Sequence, residues 1–259
     1  MTKDAGPLLF GRASQFSVGL MALDPHLGAR VLGSGVLVSV EGRRGILTCG
    51  HVAECYANRS EIGLITVAGR SPQRDVVQLR ETETITLGNG PWSEKAADLA
   101  VTWLPPETSS SIAAKSSFLD LMQNAQKHAR GEPQFTKRAD AILGLLDERT
   151  DKPAANNGTW VTMIRGLMNA GRIVAEDRGA ITFETTENNV PDLPKSFGGT
   201  SGGGLWTAFL NVVSDGNYQL AEFRLSGIAS WQIDATKIAC QANARIEQLL
   251  LPEIGGQRK

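Results

Sequence analysis

An all-β fold is what this sequence predicts, and three observations carry the prediction. Apolar residues come in short stretches of high strand propensity, such as Phe16-Ser17-Val18-Gly19-Leu20 and 33–40. Glycines, 28 of 259 residues, punctuate those stretches as they do in barrels and sandwiches. The alternating strand–helix pattern of a parallel α/β protein is missing.

Taken in order, the first two stretches are followed by a turn at Gly42-Arg43-Arg44-Gly45 and a strand at Gly45-Ile46-Leu47-Thr48-Cys49. That strand delivers Gly50-His51-Val52-Ala53-Glu54. Residues 61–104 and 160–232 read as short strands and turns, for example at 84–87, 160–164 and 179–183. Between them the character changes. Phe118, Leu121, Met122 and Ala125 recur at helical spacing, as do Ile142, Leu143, Leu145 and Leu146. The prediction is therefore a mostly helical segment over 107–158, broken at Gly131-Glu132-Pro133.

Composition removes several function classes. With 41% hydrophobic and 20% charged residues the chain has an ordinary globular make-up. A net charge of −1 offers no electrostatic footprint for nucleic acid or for a membrane surface. The first residues hold no secretory signal pattern, and no run of about 18 apolar residues is present to span a bilayer. A cytoplasmic location is the expectation. Cys49, Cys55 and Cys240 are too few and too odd for a disulfide framework. Cys49 and Cys55 flank His51, but no second Cys/His cluster completes a zinc site, so no metal is expected. Cys49 and Cys240 read as small buried hydrophobes.

The chemistry concentrates in residues 197–206, where five glycines surround Ser201. Glycine-rich backbone beside a serine suits acyl transfer, because backbone N–H groups can face a developing oxyanion. A phosphate loop would place a lysine after the glycines, and none follows. The serine needs a base, and the only histidines are His26, His51 and His128. All precede Ser201, which excludes the α/β-hydrolase order of serine before histidine. A subtilisin-like order with Asp24 ahead of His51 fails on the missing βα pattern.

Four segments in this order resemble the trypsin-like (chymotrypsin-fold) serine peptidases, particularly the disulfide-poor bacterial ones. Gly33-Ser34-Gly35-Val36-Leu37-Val38 with Ile46-Leu47-Thr48-Cys49-Gly50-His51-Val52 is similar to the strands leading to the family's catalytic histidine. Asp98-Leu99-Ala100-Val101 resembles its aspartate motif, and Gly199-Thr200-Ser201-Gly202-Gly203 its nucleophile motif. Leu225-Ser226-Gly227-Ile228-Ala229-Ser230-Trp231 resembles the strand lining its cleft.

The resemblance implies two antiparallel six-stranded β-barrels, with the 107–158 segment as a helical insertion between them and a C-terminal helix at 242–251 ended by Pro252. Residues 1–106 would carry His51 and Asp98, and 159–259 would carry Ser201. It implies a serine endopeptidase with a His51–Asp98–Ser201 triad, an oxyanion hole from the Gly199 and Ser201 N–H groups, no cofactor, and a protein or peptide substrate. Ser230, Trp231 and Gln232 would line the substrate cleft. Lys195, at the base of the primary pocket, would favour an acidic side chain or else be a surface lysine. Gln232, where many relatives have glycine, would narrow the pocket, so trypsin-like specificity is not expected. Thr200 stands where animal trypsins use an aspartate, so activation by insertion of a new N-terminus is not expected. The insertion is either a packed decoration or a docking site for a regulatory partner. The competing reading is a latent or inactive peptide-binding pseudopeptidase.

Overall fold

The computed structural model describes residues 5–24, 28–66, 73–89, 96–145, 147, 154–156, 159–161, 166–177, 179–185, 197–213 and 216–256. Lys195 and His26 lie outside these residues, as does much of the 146–165 stretch.

Helix α1 (Ala5–Ala13) precedes strands β1 (Ser17–Asp24), β2 (Gly28–Val40) and β3 (Arg43–Thr48). The short helix α2 (Gly50–Glu54) follows, then β4 (Glu61–Thr66), β5 (Gln73–Gln78), a 3₁₀ turn at Leu79–Glu81, β6 (Glu83–Asn89) and β7 (Asp98–Trp103). The connection to the second half holds α3 (Pro106–Ala113), β8 (Leu119–Asp120) and α4 (Leu121–Ala129). Next come β9 (Lys137–Leu145), β10 (Ala154–Asn156), β11 (Thr159–Val161), β12 (Gly166–Asp177) and β13 (Ala180–Thr185). The chain closes with β14 (Gly204–Val212), β15 (Tyr218–Gln232), β16 (Lys237–Ala242) and α5 (Asn243–Gly256).

Two large β-sheets result, with β10 and β11 paired separately as a two-stranded antiparallel ladder, so the prediction of a β-rich fold holds at that level. The first runs β5-β4-β1-β2-β3-β7-β6, with β8 added parallel to β2. It is open among the described residues: β5 and β6 lie at its two edges rather than pairing to close six strands. The second is a ring of six strands, β12-β13-β16-β15-β14-β9. The β2–β3 hairpin turns on Glu41 and Gly42, both at positive φ (49° and 84°), the geometry that a two-residue hairpin loop needs to match strand twist.

The 107–158 prediction needs correction. Helices α3 and α4 are present, and Asp120 caps α4 by accepting from the Met122 and Gln123 N–H groups at 2.9 and 3.1 Å. Residues 137–145, however, form β9, a full member of the ring, paired with both β12 and β14. Its residues Ile142, Leu143 and Leu145 are apolar at helix-compatible spacing because both faces of the strand are buried. Ile142 points into the ring, while Ala141 and Leu143 pack on the larger core. A run apolar on both faces has no period of two to reveal a strand. The terminal helix also runs on through Pro252 to Gly256 instead of stopping there. Proline removes one helical hydrogen bond but keeps a helical φ.

The larger core joins the halves: Phe16 packs on Trp206 and Phe223, with ring centroids 5.7 and 6.3 Å apart, and Trp206 stacks on Phe223 at 4.9 Å. A smaller core of Ile142, Ile181, Phe183, Phe197, Leu205, Ala229, Ile238, Cys240 and Ala242 fills the second half. Among the described residues, no helix is long and apolar enough to cross a membrane.

Candidate active site

Strand pairing explains why His51 and Asp98 meet. In the antiparallel β3–β7 pair, Thr48 at the end of β3 opposes Ala100 near the start of β7. The chain that leaves β3 enters α2 immediately, and Asp98 is the first residue of β7. His51 Nδ1 then lies 2.8 Å from Asp98 Oδ2, and the His51 backbone N–H donates to Oδ1 at 3.0 Å. The second bond uses a first-turn N–H that a helix leaves without an internal acceptor. Asp98 is fully buried and His51 is about a quarter exposed, so the carboxylate is sheltered while the imidazole reaches the surface.

The same logic places Ser201. It sits two residues before Gly203, at the entry to β14, and Gly204 opposes Ile228 of β15 and Leu143 of β9. Ser201 therefore lies beside Ser230, at the far end of β15. Its Oγ donates to the Ser230 carbonyl at 2.9 Å. Gly199 and Gly202 have φ of +87° and +85°, conformations that L side chains rarely adopt.

The peptide groups around Ser201 are held in place. Asp147 N–H donates to the Gly198 carbonyl at 2.8 Å, and Gly203 N–H donates to the Thr200 carbonyl at 2.8 Å. In a trans peptide the N–H points opposite to its carbonyl. The N–H groups of Gly199 and Ser201 are thereby turned away from these partners, and neither donates to an acceptor among the described residues. Thr200 is satisfied internally, its N–H and hydroxyl both bonding the Phe197 carbonyl.

Ser34 is the residue that sequence reading missed. Its Oγ donates to the Gly199 carbonyl and accepts from Leu145 N–H, both at 2.7 Å. Its own N–H donates to the Ser201 carbonyl at 2.8 Å, and its carbonyl accepts from Thr48 Oγ1 at 2.7 Å. One buried serine of the first half thus fixes the serine loop of the second. The signal was Gly33-Ser34-Gly35: a Cβ on Gly33 would come within 2.7 Å of Val52 and 3.0 Å of the Ser201 carbonyl. A Cβ on Gly202 would fall on the Ser34 carbonyl and the Thr48 hydroxyl.

The residues expected to line a cleft cover the site. The Trp231 indole stacks on the His51 imidazole, with centroids 4.4 Å apart and planes at 29°. Gln232 Oε1 accepts from Phe197 N–H at 3.0 Å, and its Nε2 donates to the Asp234 carbonyl at 3.1 Å. Gln232 therefore ties the end of β15 to the start of the serine loop.

Cys49, His51 and Asp98 present ligand atoms within 4.8 Å of one another. The chemistry of this set fits hydrogen bonding better than a metal. The Cys49 thiol is pushed well up from its ordinary value, first by burial and then by the Asp98 charge, and it donates to the Ala229 carbonyl at 3.1 Å. Cys55 stands apart, exposed, with its Sγ donating to the His51 carbonyl at 3.3 Å. Burial also raises the Cys240 thiol, in keeping with a core role.

No protein-family model matches the chain, and no curated protein matches it. One solved structure, described as "Aromatic interactions drive the coupled folding and binding of the intrinsically disordered Sesbania mosaic virus VPg protein", is similar over 90% of this chain and 87% of its own. The identity is 12% and the TM-score 0.46, a likeness too slight to carry an argument about fold or function.

Proposed function

We propose that this protein is a serine hydrolase, and specifically an endopeptidase of the trypsin-like kind. The observation that carries the reading is the buried Asp98 carboxylate gripping both His51 Nδ1 and the His51 backbone, beside a serine loop whose Gly199 and Ser201 N–H groups have no acceptor among the described residues. With Nδ1–H given to Asp98, the His51 Nε2 lone pair is the free base.

In this reading Ser201 Oγ turns from the Ser230 carbonyl towards His51 and attacks the scissile carbonyl carbon. Its proton passes to Nε2 as the C–O bond forms. The carbonyl oxygen takes the negative charge and is met by the Gly199 and Ser201 N–H groups. Donors of this kind are each worth on the order of 3 kcal/mol of barrier. The imidazolium, stabilised by Asp98, then protonates the amine nitrogen as the C–N bond breaks. Water, deprotonated by His51, cleaves the acyl ester and restores Ser201.

A latent or inactive pseudopeptidase is the second reading. Its support is that Ser201 Oγ is engaged by the Ser230 carbonyl. Labelling with a fluorophosphonate probe separates the two. Covalent modification of the wild type, abolished in Ser201→Ala and His51→Ala, is the expected result. An unlabelled wild type, at probe concentrations and times that label any competent serine hydrolase, would favour the pseudopeptidase.

A further inference from the structure

A cavity of about 400 Å³ lies at the hairpin end of the first sheet, within the size range of small-molecule sites. Arg43 and Arg44 of the β2–β3 hairpin and Trp103 at the end of β7 line one side of it, and Pro106, Ser109 and Ser110 of α3 line the other. Strand β7 begins at Asp98 and ends at Trp103, so about 17 Å of strand separate this cavity from the His51–Asp98 pair.

Its walls carry donors and positive charge. Among the described residues that line it none is acidic, and the two arginines differ in how they are held. Arg43 bonds Glu83 at 2.6 Å and lies over the Trp103 ring, 4.7 Å from its centroid. Arg44 rests over the Phe118 ring at 5.3 Å, with no ion pair or side-chain hydrogen bond among the described residues. Such a contact uses the face of the guanidinium and leaves its forked N–H edge for an anion. Across the cavity, Pro105 gives α3 no side-chain cap, and the Glu107 and Thr108 N–H groups have no acceptor among the described residues. The positive end of the helix lies with them. A separate observation concerns Trp103, which is 4% exposed and whose Nε1 has no hydrogen-bond partner. The Cε3–Cζ3 edge of the indole packs on Gly45, so Nε1, on the other edge, is turned away from the β3 backbone. A buried indole N–H normally has an acceptor, and here the protein supplies none.

From these observations we infer that the cavity between the β2–β3 hairpin and α3 binds a phosphoryl dianion, carried by free phosphate or by a small phosphate ester. Arg44 presents paired donors from one wall, and the first turn of α3 and the exposed Ser110 hydroxyl present donors from the other. Arg43, kept in place by Glu83, adds charge. A carboxylate offers two oxygens and one charge, whereas donors on facing walls suit the three oxygens and double charge of a phosphoryl group. Helix α3 thus has a task beyond linking the two halves. The site stands apart from the hydrolase reading of Ser201 and survives its failure.

The test is calorimetric titration of the full chain with inorganic phosphate and, separately, with glycerol 3-phosphate. Saturable binding of at least one is expected, weakened about tenfold or more in Arg44→Gln, which removes a charged pair of donors. Arg44→Lys keeps the charge but not the fork and should bind more weakly than the wild type and more tightly than Arg44→Gln. Ser110→Glu changes no arginine contact and sets a carboxylate at the rim of the cavity. It too should weaken binding at least tenfold, so the test survives if Arg44→Gln proves misfolded by circular dichroism. Tighter binding of the ester assigns the phosphoryl group to an ester; binding of phosphate as tight or tighter assigns it to free phosphate. No saturable binding of either compound up to millimolar concentration would overturn the site. So would a loss of less than tenfold in a folded Ser110→Glu variant, which would place the binding elsewhere on the chain.

Discussion

The two halves of the site differ in how finished they are. In the first sheet, His51 and Asp98 are already hydrogen-bonded, because one antiparallel pair, β3–β7, brings both ends to the same point. In the ring, the backbone around Ser201 is fixed by Ser34, Asp147 and Gly203, while the Ser201 side chain points at Ser230. A dyad set by sheet pairing has little freedom to vary. A side chain on a loop has rotamers to choose among, separated by small energies. Regulation is therefore easier to place on the ring side than on the dyad side.

The largest effect expected from breaking this contrast is on the dyad. Asp98→Asn keeps the size of the side chain but can present an N–H where the carboxylate accepts from Nδ1. Turnover should fall by about 10,000-fold, the scale of such a change in a serine triad. Steady-state kinetics on an activated ester would measure it; a loss below tenfold would mean that Asp98 is structural.

Next comes the packing of the loop against β2. In Gly202→Ala the new methyl would fall on the Ser34 carbonyl at a positive φ, and a cost of about 2–4 kcal/mol is expected from denaturant unfolding. Ser34→Ala is gentler. It leaves the Leu145 N–H and the Gly199 carbonyl without their partner, at about 1–3 kcal/mol. Beyond that stability loss it should lower kcat more than it raises KM, since it loosens the peptides beside Ser201. Equal changes in both would argue that Ser34 does not position the loop.

The smallest expected effect lies far from the site. His128, on α4, donates from Nε2 to the Leu225 carbonyl at 2.9 Å, and burial pulls its pKa down from 6.5. The unfolded chain then binds the proton more readily than the folded one, so stability is full above pH 6.5 and declines as pH falls below it. Replacing His128 with Gln should flatten that part of the pH–stability curve. An unchanged slope would point to other groups.

Legibility in the sequence followed the same division. The sequence could mark His51 and Asp98, which the structure brings into contact, because each stands at the edge of an apolar strand, and it could mark the Ser201 loop by its glycines, two of which sit at positive φ. Their neighbour Ser34 was marked by its flanking glycines, but its role could not be read, since its four hydrogen bonds run to residues 14 to 167 positions away in the chain. Strand β9 was misread for a related reason: buried on both faces, it carries no periodicity to separate strand from helix. The N-terminal sheet was expected to close on six strands, yet its edge strands β5 and β6 stay apart among the described residues.

What the sequence determined by itself is local: strand-rich patterning, hairpin turns where Gly42 permits positive φ, and a glycine-lined serine downstream of three histidines. These depend on propensities and steric limits that act within a few residues. Tertiary structure alone decided the rest. It paired β3 with β7 to join His51 to Asp98, closed β9 into the ring, and set Trp231 on His51 and Ser201 on Ser230. Those choices come from burial and hydrogen-bond satisfaction between distant segments, which is free energy that no short window of sequence contains.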